Sequence, residues 1–271
     1  MYQPRAWILT IGNEILIGRI VNTNASWLAE RLTLLGAKVR RILVVPDELD
    51  EIARAFHEAV RSADIVVSTG GLGPTDDDMT LEGLSLALAR PLRLHPKALE
   101  MVERFYSSRG YGLTRERVKM AFLPEGAEPI PNPVGAAPGA FIVAGRSHVV
   151  ALPGVPAEMK AMFDEYVVEL LRPILPRLCV RDIGRVYRGI PESSLAPLLR
   201  RASRLCPDCY VKSHPKGHEV EKPVIEVRVL ASAPSCGEAE DKARRVLEEL
   251  DRLIAGGDGR GEPISQGAGG V

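Results

Sequence analysis

Amide side chains are nearly missing from this chain. Its 271 residues hold two glutamines, Gln3 and Gln266, and four asparagines, Asn13, Asn22, Asn24 and Asn132. Such scarcity of thermolabile residues points to a thermophilic source. Net charge is missing too: Lys+Arg 35 balances Asp+Glu 35, so bulk electrostatics offers no basis for binding nucleic acid or a membrane surface. No apolar run approaches the roughly 18 residues that read as a membrane-spanning helix, and Met1–Arg5 leads directly into a strand-like segment. A cytoplasmic protein without a membrane partner is expected. Two phosphate-binding fingerprints are absent as well. No Gly-x-x-x-x-Gly-Lys-Ser/Thr occurs, nor a Gly-x-Gly-x-x-Gly after a strand, which excludes a P-loop enzyme and a simple dinucleotide-binding unit.

What is present is an alternation. Apolar runs at Ala6–Ile11, Lys38–Val45 and Asp64–Ser68 read as strands. Between them lie helical periods: Trp27, Leu28, Leu32 and Leu35 after Asn24, then Ile52, Phe56, Ala59 and Val60. Strands alternating with helices imply an α/β fold, with a doubly wound, mostly parallel sheet covered on both faces. Further helices are expected from Met79, from Pro96 and from Pro156 to Leu171, with two β runs at 140–143 and 148–152. Pro173 and Pro176 punctuate the chain, so domains are expected at 1–173 and 174–255, followed by a flexible Gly-rich tail, 256–271. The second domain reads as strand, helix, strand, strand, helix, a small α+β unit.

The sharpest site candidate is Thr69-Gly70-Gly71-Leu72-Gly73-Pro74-Thr75-Asp76-Asp77-Asp78. Glycines after a strand let backbone N–H groups approach an anion, while adjacent carboxylates would repel it unless a divalent cation lies between. Capping of the next helix is the plainer role for the aspartates. In a doubly wound sheet the loops at the carboxyl ends of the strands meet at one rim. That topology gathers Asn13, Glu14, Asp47, Asp77 and Asp78. Taken alone, Asp47 and Asn24 read as helix caps and Lys119 as part of a solvated basic face. Asn132-Pro133-Val134-Gly135-Ala136-Ala137-Pro138-Gly139 is a rigid loop able to approach a ligand closely.

The cysteines offer less. Cys206-Pro207-Asp208-Cys209, followed by His214 and His218, is spaced too tightly for a zinc finger, and Cys179 and Cys236 stand apart. Free thiols are expected, or a disulfide if the source is a hyperthermophile. No Ser/His/Asp spacing suggests a nucleophilic triad.

Five ordered motifs over residues 6–170 resemble the CinA N-terminal domain, part of the molybdopterin-binding MoaB/MogA-like superfamily. They are Gly12-Asn13-Glu14-Ile15-Leu16-Ile17-Gly18, the Thr69–Thr80 loop, Lys119-Met120-Ala121 through Ala127, the Asn132–Gly139 loop, and Leu152-Pro153-Gly154-Val155-Pro156 with Glu158-Met159. Met120 departs from the usual Gln. The resemblance implies a MogA-like three-layer fold, a following KH-like module, and a form without the amidohydrolase domain of full-length CinA proteins. It also implies divalent-metal-dependent hydrolysis of ADP-ribose (a Mg, Mn or Co type cofactor) or, alternatively, molybdopterin binding or adenylylation in molybdenum cofactor biosynthesis. Its two essential aspartates correspond to Asp47 and Asp78, so Asp47 becomes a site candidate rather than a cap. On this reading Asp47, Asp78 and Lys119 are catalytic, and Asp77 and Asp78 hold the metal. Asn13, Glu14, Asn24, Gly70, Gly71, Gly73, Thr75, Asn132, Gly135 and Gly154 bind a nucleotide or pterin phosphate. A homodimer is expected from the resemblance. An RNA-binding role through the KH-like unit is disfavoured, because residues 180–255 lack a Gly-x-x-Gly loop and an aromatic-rich basic face.

Overall fold

The computed structural model describes residues 3–216 and 223–258 and the backbone of 263–264. The chain divides into two compact units, Met1–Thr33 with Ala37–Pro176, and Leu34–Gly36 with Arg177–Val271. The break therefore follows Pro176 rather than Pro173.

The first unit runs β1 (Arg5–Ile11), α1 (Asn13–Leu16), α2 (Thr23–Leu34), β2 (Lys38–Val45), α3 (Leu49–Ser62), β3 (Ile65–Thr69), α4 (Thr80–Leu88), β4 (Leu92–Leu94), α5 (Pro96–Ser107), α6 (Arg115–Lys119), β5 (Phe122–Pro124), β6 (Glu128–Ile130), β7 (Gly139–Ala144), β8 (Ser147–Leu152), α7 (Pro156–Met162) and α8 (Val168–Leu171). A π-helical stretch, Phe163–Val167, joins α7 to α8, so the long helix expected there carries a local widening. The sheet order is β2-β1-β3-β8-β7-β6. The first four strands are parallel, and β7 and β6 add antiparallel edges. The α/β fold and its mostly parallel sheet are as expected. The short α1, β4, β5 and β6 are not evident from periodicity, because three or four residues are too few to establish one.

Burial explains the strands. All five residues of β3 are buried, as are six of seven in β1, which is the continuous apolar pattern of a strand covered on both faces. Alternate β1 residues Trp7, Leu9 and Ile11 join one core with Ile52 and Phe56 of α3 and Leu84 of α4. Thr10, on the opposite face, meets Asn22 just before α2. The edge strand β2 has a single buried residue, Val45. Arg41 there stacks on Trp7 with its guanidinium 4.5 Å from the ring centroid, covering apolar surface with a charge that discourages edge pairing.

The second unit contains β9 (Cys179–Arg188), α9 (Glu192–Ala202), a 3₁₀ turn (Ser203–Leu205), β10 (Tyr210–Pro215), β11 (Val224–Ala233), α10 (Cys236–Leu253) and β12 (Pro263–Ile264). It is α+β, with sheet order β10-β11-β9-β12 and every pairing antiparallel. Ile225, Val227, Val229 and Ala231 alternate into its core against Leu195 of α9 and Val246 and Leu250 of α10. The expected flexible tail begins instead as a helical turn, Ile254–Asp258, and β12 pairs with β9. The rest of that tail lies outside the described residues, as does His218.

Of the two expected states, free thiols or a disulfide, the disulfide holds: Cys179 is bonded to Cys236 and Cys206 to Cys209. Cys179 and Cys236 are 57 residues apart in sequence, but Cys179 pairs with Ala233 across the β9–β11 ladder, three residues before Cys236. Register, not spacing, brings them together.

Candidate functional site

The strand order reverses about β1: the chain goes from β1 outward to β2, then back past β1 to β3. Loops leaving β1 and β3 therefore diverge and leave a crevice at their carboxyl ends. A cleft of about 420 Å³ lies there, lined by residues that include Gly12, Glu14, Asp47, Gly71, Asp77 and Asp78.

Hydrogen bonds hold the loops in place. The Gly12 N–H donates to Val45 O at 3.1 Å, and the Gly70 N–H to Leu152 O at 3.0 Å. The Asn13 N–H donates to the Asp47 carboxylate at 2.8 Å. That contact corrects the capping role for Asp47, since α3 begins at Leu49 with Glu48 before it and no side-chain cap bond. Asn24 is not a cap either. It lies inside α2, buried, and its Nδ2 donates to Thr69 Oγ1 at 3.0 Å and to Gly154 O at 2.8 Å. Asn22 takes the capping role, accepting from the Ala25 N–H at 3.1 Å. Asn24 thus clamps the end of β3 to the loop after β8 and does not line the cleft.

The glycine turn has a backbone that other residues rarely adopt. Gly70 has φ 107°, and a Cβ there would lie 2.1 Å from Ile11 O. Gly71 also has positive φ, 64°. The Thr80 hydroxyl donates to Gly70 O at 2.7 Å, anchoring the turn to α4. Among the described residues, no acceptor meets the N–H groups of Gly71, Leu72 and Gly73. They form a set of backbone donors suited to a phosphate oxygen.

Facing them are carboxylates. The Thr75 hydroxyl reaches Asp77 Oδ1 at 2.5 Å and Asp78 Oδ2 at 2.6 Å, and the Thr75 N–H donates to Asp78 Oδ2 at 2.9 Å. Thr75 itself is outside the cleft lining and organises the two aspartates. Gly73 leaves room for Asp78, whose Oδ2 would meet a Cβ there at 2.5 Å. The Lys119 ammonium donates to Thr75 O, placing a cation behind this loop. Partial burial pushes the Asp47 carboxyl above its ordinary range. The Asn13 N–H opposes that shift, while the charges of Glu14, Asp77 and Asp78 add to it. Asp77 goes the other way, held low mainly by the Thr75 hydroxyl, with Lys119 adding to the effect.

The rest of the expected set divides. Asn13 contributes its backbone N–H to Asp47 and does not line the cleft, whereas Glu14 and Gly154 do. Asn132 is turned into its own loop: its Nδ2 donates to Ala137 O and Glu158 Oε2, and its Oδ1 accepts from the Val134 and Gly135 N–H groups. Gly135 is buried against Glu158, and neither Asn132 nor Gly135 lines the cleft. Sequence reasoning missed Glu158 and Tyr106, which do. Glu158 sits in a quoted motif, and the signal was its position one turn beyond Gly154; Tyr106 had none.

A hard divalent cation suits the donor chemistry of this rim, which is all oxygen: Glu14, Asp47, Asp77, Asp78 and Glu158. No lysine or arginine lines the cleft to offset them. Three potential ligand atoms within 4.8 Å of one another occur, among the described residues, only at Cys206, Asp208 and Cys209, so the rim carboxylates stand more openly spaced.

The model of the family described as "Probable molybdopterin binding domain" matches residues 7–173. A protein of Aeropyrum pernix is 56% identical over 252 residues, covering 93% of this chain and 94% of its own length. One of Pyrobaculum calidifontis is 51% identical over 252 residues, covering 93% and 96%. Among solved structures, the chain is similar to that of "the protein CinA with unknown function" from Thermoplasma acidophilum. The two are 46% identical with a TM-score of 0.59, over 64% of this chain and 99% of that one.

Proposed function

Because this chain belongs to the family described as the "Probable molybdopterin binding domain", we propose that its cleft binds the phosphate of a nucleotide or pterin, and that it hydrolyses a diphosphate linkage of the ADP-ribose type with a divalent cation. The observation that carries this reading is the pairing of unengaged N–H groups at Gly71–Gly73 with facing carboxylates. Either alone is ordinary; together they suit a phosphate and the cation that joins it to acid side chains.

In this reading the Gly71, Leu72 and Gly73 N–H groups bind the phosphate oxygens and fix the diphosphate against the rim. Asp77 and Asp78, pre-oriented by Thr75, would hold the cation. When bound it supplies charge neutralisation and polarisation of the phosphoryl oxygens. Asp47, whose carboxyl is raised by its surroundings, would take a proton from an attacking water. Lys119, outside the cleft lining, lends its positive charge to the Thr75–Asp78 loop rather than to the phosphate itself.

Phosphate-bond cleavage of ADP-ribose, assayed with and without Mg²⁺ or Mn²⁺, tests this. Asp78→Asn keeps an oxygen for Thr75 and is expected to lower the rate by about 10²–10³. A metal-independent rate, or an unimpaired variant, overturns the mechanism. The second reading is binding or adenylylation of molybdopterin, of which the family description names the binding. Tight pterin binding with no turnover of ADP-ribose would select it.

A further inference from the structure

The two disulfides of the second unit close very different loops. Cys179–Cys236 spans 57 residues and ties the start of β9 to the start of α10. Cys206–Cys209 spans three and lies between the 3₁₀ turn and β10. A loop that short constrains the unfolded chain little, so this bond is the weaker of the two as a stabilising crosslink. It borders a cleft of about 500 Å³ shared with Ser203, Arg204 and Tyr210. Cys206 is buried, while Cys209 is partly exposed.

A carboxylate sits with the pair. Cys206 Sγ lies 3.2 Å from Asp208 Oδ1. Both sulfurs and a carboxylate oxygen of Asp208 lie within 4.8 Å of one another. Lys242 Nζ donates to Asp208 Oδ2 at 2.8 Å and to Ser232 O at 3.1 Å, fixing the carboxylate from behind. A disulfide offers a metal no thiolate. Its reduced form would present two, at the two-residue spacing found in zinc sites.

We propose that Cys206–Cys209 is a reducible pair whose dithiol form, with Asp208, binds a zinc-type divalent cation in the second unit. The reductant is a dithiol. One of its thiolates attacks the partly exposed Cys209 Sγ, the S–S bond breaks, and its electron pair passes to Cys206, which takes a proton. The reductant's second thiol then attacks the mixed disulfide at the reductant's own sulfur and releases Cys209 as a thiol. Two electrons move to the protein pair and the reductant leaves as its disulfide. Binding the cation releases the two thiol protons. Two thiolates and one carboxylate against a dication leave one negative charge, which the Lys242 ammonium offsets. The open cleft leaves a coordination position for water. Two soft sulfurs separate this site from the oxygen-only rim of the first unit.

Cobalt titration of the full chain, before and after anaerobic reduction with dithiothreitol and removal of the reductant, tests the proposal through the thiolate-to-cobalt charge-transfer band. Cobalt on rim carboxylates gives no such band. The reduced protein should show it at one equivalent, and the oxidised protein should not. The reduced Cys179→Ser/Cys236→Ser protein should retain it, Cys206→Ser/Cys209→Ser should lose it, and Asp208→Asn should weaken binding roughly tenfold or more. Absence of the band in reduced wild type, or its survival in Cys206→Ser/Cys209→Ser, overturns the site. Alkylation at limiting dithiothreitol gives a second reading on unaltered protein. Cys206 and Cys209 should label before Cys179 and Cys236, and the reverse order overturns the reducible pair.

Discussion

The first unit has no disulfide, and the second has two. The first closes a core over a six-stranded sheet with helices on both faces, and side-chain clamps such as Asn24 then hold its polar loops. The second pairs a four-stranded antiparallel sheet with the helices α9 and α10. A unit that small buries a lower fraction of its surface, so covalent closure matters more to it. The polar interior of each unit follows the same logic. In the second, Tyr187 is fully buried and donates to Asp251 at 2.9 Å, with Arg185 paired to the same aspartate. Burial pushes the Tyr187 phenol upward, so it stays a neutral donor. In the first, buried Asp64 is likewise answered, by Arg5 and Arg146, whereas the carboxylates at the solvent-open rim are only partly answered. A site that must accept a ligand keeps unmatched charge; a stabilising element does not.

That contrast can be broken at several points. Removing the long crosslink should do the most: by loop length, Cys179→Ser/Cys236→Ser should cost the second unit about 4 kcal/mol. Denaturant unfolding followed separately in each unit would show it, and equal losses in both would refute the contrast. Gly70→Ala should come next, costing the first unit about 3 kcal/mol through strain and the approach to Ile11 O. Its effect is read as a lowered midpoint together with lost ligand binding. The Cys206–Cys209 bond closes so short a loop that Cys206→Ser/Cys209→Ser should lose only about 2 kcal/mol; a cost matching the long crosslink would count against treating the pair as the weaker one.

The smallest effect has the opposite sign. The folded state raises the Asp47 carboxyl above its unfolded value, so its contribution to stability is present below the ordinary carboxylate range and is lost as pH rises through the raised value. Asp47→Asn should therefore raise Tm at pH 7 without divalent cation, and the gain should vanish at low pH, where the wild-type carboxyl is protonated. A Tm that falls at pH 7 would show that Asp47 is a net stabiliser of the unliganded rim.

Asp47 shows how far sequence reasoning reached. Its residue type and its place before a helix fit a cap, but the strand order set it beside Glu14, and the Asn13 N–H holds it there. Asn24 reads from its position as a cap or a ligand contact, and in the structure it is a clamp between loops. Its partners lie 45 and 130 residues away, beyond any local pattern. Asn132 depends on a similarly distant partner: Glu158, 26 residues on, accepts from its amide. Glu158 then becomes a cleft residue in its own right.

What the sequence determined by itself is the local and the periodic. The apolar runs of β1 and β3 require a sheet covered on both faces, and glycines after β3 require a turn that other residues avoid. The right-handed crossovers between parallel strands then bring the loop ends together. Only tertiary structure decided which atoms within those loops face the cleft and which are consumed in holding it. It also decided that Cys179 meets Cys236. The reason is physical: side-chain periodicity is written within about one turn or one pleat, whereas a hydrogen bond across sheet layers or a disulfide across a ladder depends on register, which exists only once the strands have paired.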